Sequence, residues 1–86
     1  MEIEYTFQAK EDLAYWKKTN NEIVLKKIRK LLEAIIESPF EGIGKPEPLK
    51  HNLTGCWSRR IDKEHRLIYE VIDNMILVLS MKGHYS

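Results

Sequence analysis

The sequence predicts an α+β fold: β-α-α followed by an antiparallel meander, with two N-terminal helices packed on a twisted antiparallel sheet. Three observations predict it. The first residues alternate apolar and polar. Residues 22–37 carry one broad apolar stripe at helical spacing. After Gly55 come three runs rich in β-branched, aromatic and leucine side chains, separated by short turns. At 86 residues the chain fits one domain, 1–86, with a single thin core.

The elements follow in order. Ile3, Tyr5 and Phe7 alternate with Glu2, Glu4 and Thr6, as in a strand with one apolar face. From about Ala9 the period lengthens. Ala9, Leu13 and Trp16 then share a helical side, with Lys10, Glu11, Asp12 and Lys17 outside. Thr19-Asn20-Asn21 breaks the helix and supplies a cap for the next one. In that second helix Ile23, Val24, Ile28, Leu31, Leu32, Ile35 and Ile36 form the apolar stripe. Lys26, Lys27, Arg29, Lys30, Glu33 and Glu37 take the other side, where Arg29 and Glu33 can pair across one turn. Ser38-Pro39 ends it. Residues 39–55 read as a long loop punctuated by Pro39, Gly42, Gly44, Pro46 and Pro48, and loops of that length often carry function. Cys56–Ile61, His65–Ile72 and Met75–Met81 read as strands, joined by turns at Asp62-Lys63-Glu64 and Asp73-Asn74.

Composition excludes several classes. Lys plus Arg is 14 and Asp plus Glu is 13, so the formal net charge of +1 argues against binding nucleic acid by bulk charge alone. One cysteine, Cys56, permits neither an internal disulfide nor a Cys-based zinc site, and reads as a small side chain in a strand. No apolar run is long enough to span a membrane, and the acidic start Met1–Tyr5 is not a signal peptide, so the cytoplasm is the expected compartment. Gly42-Ile43-Gly44-Lys45 lacks the spacing of a phosphate-binding loop.

Charge is nevertheless uneven. Residues 1–44 sum to −1, residues 45–66 to +3 and residues 67–86 to −1. In a two-residue hairpin at Asp73-Asn74, facing residues sum to 147, which sets Met81 opposite Arg66; a register slipped by one still finishes Lys82, Gly83 and His84 near Arg66. The sheet then gathers Arg60, Arg66, His84 and Tyr85 at one end, within reach of Glu47 and Lys50 from the loop. That set has the parts for cutting RNA without a metal. Glu47 or His84 can accept the proton of a ribose 2′-hydroxyl, and His84 or Tyr85 can protonate the leaving oxygen. Arg66, Arg60 and Lys50 can hold the phosphate, and Trp57 and Tyr85 offer flat surfaces for a base. No Asp/Glu/His cluster has metal-ligand spacing, and no cofactor is called for. Each residue also has a plain structural reading. Glu47 can be a solvated loop charge, Arg66 can pair with Glu64 or Glu70, and Trp57 can simply pack against the sheet. His51 and His65 read as structural.

The stretches Gly44-Lys45-Pro46-Glu47-Pro48-Leu49-Lys50-His51-Asn52-Leu53, Trp57-Ser58-Arg59-Arg60-Ile61 and Glu64-His65-Arg66-Leu67-Ile68-Tyr69 resemble the YoeB/Txe branch of the RelE superfamily of bacterial toxins. Ser38–Gly42, Tyr15-Trp16 and the closing His84-Tyr85 fit the same branch, so the resemblance spans essentially the whole chain. It implies a RelE-like, microbial-ribonuclease-like fold. It implies the toxin of a type II toxin–antitoxin system, a ribosome-dependent endonuclease that cleaves translated mRNA in the A site of the 70S ribosome. Carried over residue by residue, Glu47 is the general base, His84 the general acid and Arg66 the transition-state cation. Lys50 and Arg60 assist at the phosphate, with Arg59 and Trp57 as further substrate contacts, and Tyr85 places the substrate or leaving group. The implied partners are a YefM-like antitoxin and a second copy of the chain. Ser86 departs from the family, which commonly closes on the His-Tyr pair. Two alternatives share the fold: a ParE-like gyrase inhibitor that is no nuclease, and an inactive interaction module.

Overall fold

A computed structural model describes residues 1–83. The order is β1 (Glu2–Tyr5), α1 (Phe7–Lys18), α2 (Glu22–Glu37), β2 (Glu47–Pro48), a short 3₁₀ turn (His51–Leu53), β3 (Cys56–Arg60), β4 (Arg66–Ile72) and β5 (Met75–Ser80). Both helices pack on a five-stranded sheet of order β1-β5-β4-β3-β2.

The meander is as expected, but the sheet is mixed, because β1 pairs with β5 in parallel, Ile3 opposite Ile76. Such long-range pairing has no local signal. β1 also ends sooner than its alternation suggests. Thr6 caps α1, its Oγ accepting from Ala9 N at 3.1 Å, so Phe7 starts the helix and stands 76% exposed. Asn21 caps α2 in the same way through Val24 N.

The core contains Ala9 and Trp16 from α1, Val24, Ile28, Leu31 and Ile35 from α2, and Leu67, Tyr69, Ile76 and Val78 from the sheet. The α2 stripe is narrower than its apolar residues suggest. Ile23 is 82% exposed and Ile36 faces outward, because both sit beyond the arc that touches the sheet. Arg29 and Glu33 do not form an ion pair among the described residues. Asp12, expected outside, is buried: it accepts from Met81 N at 2.8 Å and from Gln8 Nε2 at 2.9 Å. Near it, Trp16 Nε1 donates to Met81 O at 2.9 Å. Together these bonds tie α1 to the end of β5.

The loop between α2 and β3 is more ordered than its composition suggests. It contributes β2 at the sheet edge, with Glu47 opposite Ser58, and the 3₁₀ turn that follows Lys50.

Candidate functional site

Strand register decides which side chains meet. Facing residues in a ladder share a sheet face, as do residues two apart along a strand. Glu47, Ser58, Ile68 and Ser80 form one row across β2, β3, β4 and β5. Arg60 and Arg66 face each other two residues further along β3 and β4. Glu47, Arg60 and Arg66 therefore lie on one face, opposite the face that Leu67 and Tyr69 pack against the helices. From strand spacing and rise, the Cα atoms of Glu47 and Arg66 lie about 12 Å apart. Side chains of this length can close on a group held between them. Arg60 is exposed and Arg66 half-buried. Neither Glu64 nor Glu70 pairs with Arg66 among the described residues. Glu64 instead approaches His65 Nε2 at 3.8 Å.

Glu47 and Lys50 line one shallow cavity of about 500 Å³, together with Pro48, Leu49, His51 and Leu53. The loop is shaped at its ends by two left-handed residues, Lys45 at φ 50° and His51 at φ 60°. Leu49 N donates to Cys56 O at 2.9 Å and anchors the segment to β3. A second basic cavity adjoins Arg60, with Lys27, Lys45 and Lys63 on its walls.

Two expected substrate contacts do not reach this face. Arg59 is fully buried on the helix side of the sheet. Its Nε donates to Tyr69 Oη at 3.1 Å, and its terminal nitrogens donate to Ser38 O, Ile43 O and Glu41 O at 2.7–3.1 Å. Tyr69 Oη donates in turn to Pro39 O at 2.6 Å. Arg59 thus clamps the loop after α2 and has no free edge for RNA. Trp57 sits on the same side as Arg59 and packs on Phe40, ring centroids 5.0 Å apart. Burial holds the one, and a neighbour's ring occupies the other.

The hairpin takes the slipped register. The sum of 147 holds for Ile72–Met75 through Tyr69–Val78, then a bulge shifts it, and Ile68 faces Ser80. One residue is absorbed near Leu79. Arg66 consequently meets Gly83, not Met81, its N–H donating to Gly83 O at 2.8 Å. Gly83 is the last described residue; His84 and Tyr85 lie outside the described residues.

His65, read from the sequence as structural, joins the turn before β4 to the chain beyond β5. Its Nδ1 accepts from Gly83 N at 2.9 Å, and its ring stands edge-on to Trp16 with centroids 4.8 Å apart. Cys56 is buried as expected. Burial, and then the nearby Glu70 carboxylate, push its thiol up from 9.0, which removes it as a nucleophile near neutral pH. No group of three His, Cys, Asp or Glu side chains among the described residues is arranged to hold a metal.

Two helices on one face of a mixed sheet, with an acid and paired arginines on the other, define a small α+β domain with a polar, cation-bearing sheet face. The family described as YoeB-like toxin of bacterial type II toxin-antitoxin system matches residues 5–85. Toxin YoeB of Escherichia coli strain K12 is 48% identical over 85 residues, covering 99% of this chain and all of that one. Two Staphylococcus aureus structures superpose over 99% of this chain and 98% of theirs. A YoeB dimer does so with TM-score 0.90 at 50% identity, and a YoeB–YefM complex with TM-score 0.89 at 51% identity. The chain belongs to the YoeB-like toxin family of bacterial type II toxin–antitoxin systems.

Proposed function

We propose that this toxin is an endoribonuclease that cleaves translated mRNA in the ribosomal A site, without a metal, by attack of the ribose 2′-hydroxyl on the adjacent phosphate. The observation that carries the reading is the shared face of Glu47, Arg60 and Arg66, set by strand register. Glu47 accepts the 2′-hydroxyl proton as it attacks phosphorus. Arg66 neutralises the charge that builds on the phosphorane oxygens, with Arg60 and Lys50 beside it. The bond to the 5′-oxygen breaks, and His84 protonates that oxygen. Tyr85 places the leaving nucleotide. The products are a 2′,3′-cyclic phosphate and a 5′-hydroxyl. Arg59 and Trp57 have no part in these steps.

The partners follow the family. A YefM-like antitoxin is the natural inhibitor, supported by the Staphylococcus aureus complex, and a homodimer is supported by the dimer from the same organism. Among the described residues no helix is long and apolar enough to cross a membrane, which suits a toxin acting at cytoplasmic ribosomes.

Mapping mRNA 5′ ends in a translating extract tests the reading. New ends should appear within translated codons and vanish when the ribosomes are stripped away. Equal cleavage of naked RNA would contradict ribosome dependence. Glu47→Ala, Arg66→Ala and His84→Ala should each relieve growth arrest on expression. Full toxicity in all three would remove the nuclease assignment and favour a gyrase-binding toxin, scored by DNA supercoiling. No growth arrest and no new mRNA ends with the wild type would favour an inactive interaction module.

A further inference from the structure

The chain is gripped twice as it leaves β5. Met81 is held by α1, through Trp16 Nε1 on its carbonyl and Asp12 Oδ2 on its N–H. Two residues on, Gly83 is held from β4 and the turn before it. Its N–H donates to His65 Nδ1 at 2.9 Å, and its carbonyl accepts from Arg66 N at 2.8 Å. Gly83 has φ +75°, and a Cβ built there would meet nothing within 4 Å. Gly83 is half-buried, and two hydrogen bonds hold its backbone.

His65 is itself well fixed. Its carbonyl accepts from Ile61 N at 2.9 Å, its N–H donates to Asp62 Oδ1 at 2.8 Å, and Trp16 borders its ring. A ring nitrogen that accepts a hydrogen bond carries no proton. The bond from Gly83 thus assigns the neutral tautomer with the proton on Nε2, the nitrogen that faces Glu64.

We propose that His65 is a positioning residue for the cleavage site: its Nδ1 lone pair holds Gly83, and so fixes where the chain enters the His84-Tyr85 pair relative to Arg66. The proposal rests on the reading of His84 as general acid. One dipeptide, His65-Arg66, then serves both ends of the reaction. Arg66 offers its side chain to the phosphate and its backbone N–H to Gly83. His65 completes the grip. An acid that follows a glycine needs such a grip, since a misplacement of about 1 Å can cost on the order of 100-fold in rate.

The test uses the full chain with ribosomes carrying a defined mRNA, read by single-turnover cleavage over a range of toxin concentration. Wild type is compared with His65→Ala, His65→Asn and His84→Ala. Asparagine keeps an acceptor near the place of Nδ1. We expect His65→Ala to lower the saturating rate roughly 10- to 100-fold while half-saturation stays put. His65→Asn should recover most of that loss, and His84→Ala should be inactive. In ¹⁵N spectra of the wild type, Nδ1 of His65 should be unprotonated, and amide exchange at Gly83 should speed up in His65→Ala alone. A wild-type rate for His65→Ala beside an inactive His84→Ala overturns the positioning role and leaves the acid assignment standing. Equal damage from alanine and asparagine overturns it too. Wild-type cleavage by His84→Ala overturns the acid assignment itself. If His65→Ala does not fold, the tautomer decides: a proton on Nδ1 overturns the proposal.

Discussion

Arg59 carries a full charge in the core, with four hydrogen bonds and no carboxylate partner among the described residues. Guanidinium suits the place because its planar fork serves several carbonyls at once, whereas an ammonium is a point charge on a flexible stem. Arg59→Lys should leave carbonyls of residues 38–43 short of donors and cost about 3 kcal/mol, seen as a lower urea midpoint. Cys56 and Tyr69 make a second prediction at this scale. Burial pushes the thiol up from 9.0 and the phenol up from 10.0; for Tyr69 the hydrogen bond and charge of Arg59 act in the opposite sense. Both groups hold their protons more tightly folded than unfolded. Their stabilisation is whole below these ordinary values and drains as pH climbs above them, where the unfolded chain binds fewer protons. Unfolding free energy should therefore fall from about pH 9 upward. Cys56→Ala should flatten the lower part of that decline and Tyr69→Phe the upper part, in urea titrations at stepped pH.

Between elements, the glycine with the least room for a side chain is Gly44. Its φ is +84°, and an added Cβ would stand 2.7 Å from Leu31 Cδ2 and 3.1 Å from Arg59 Cβ. Its carbonyl also accepts from Arg60 N at 2.7 Å, so the segment that feeds β2 is sutured to β3 between α2 and the sheet. Gly44→Ala should cost about 3 kcal/mol, backbone strain and overlap combined, measured as a fall in melting temperature. Gly83→Ala, with open space around it, should cost only about 1 kcal/mol. These elements also divide what the chain reveals locally from what it hides. The helices, the break at Thr19-Asn20-Asn21, and the meander of β3, β4 and β5 are legible because period and turn chemistry are local signals. The parallel seat of β1, the bulge near Leu79 and the two-residue β2 are not, since each depends on a partner distant in sequence. For the site, Glu47, Arg60 and Arg66 are legible from chemistry and family likeness, and register puts them on one face. Asp12 and Arg59 escape such a reading because hydropathy assigns any charge to the surface, and only three-dimensional hydrogen-bond supply says otherwise.

Over the whole molecule, a net charge of +1 sounds too weak for an RNA enzyme. Arg59 lies inside, so the outward excess is smaller still in effect, yet four of the remaining cations cluster. Lys27, Lys45, Arg60 and Lys63 border one cavity beside the proposed cleavage face, with Asp62 as their acidic neighbour. A nuclease that borrows most of its substrate binding from the ribosome needs no more than such a local patch. Lys27→Ala with Lys63→Ala should weaken ribosome binding and reduce the slope of log affinity against log salt by roughly 1 per phosphate no longer neutralised. An unchanged slope in equilibrium sedimentation would place the binding elsewhere.

The sheet order has a consequence in time. Of the described strands β1 is the first made, and its only ladder among the described residues is to β5, the last of them. Until Met75–Ser80 emerge from the ribosome, β1 has no partner, and α1 lacks the end of β5 that Asp12 and Trp16 hold. A growing chain therefore cannot close its fold, and pairings this distant in sequence form slowly even afterwards. Until β5 is in place, the apolar faces of β1 and α1 that it covers stay open to whatever the emerging chain meets.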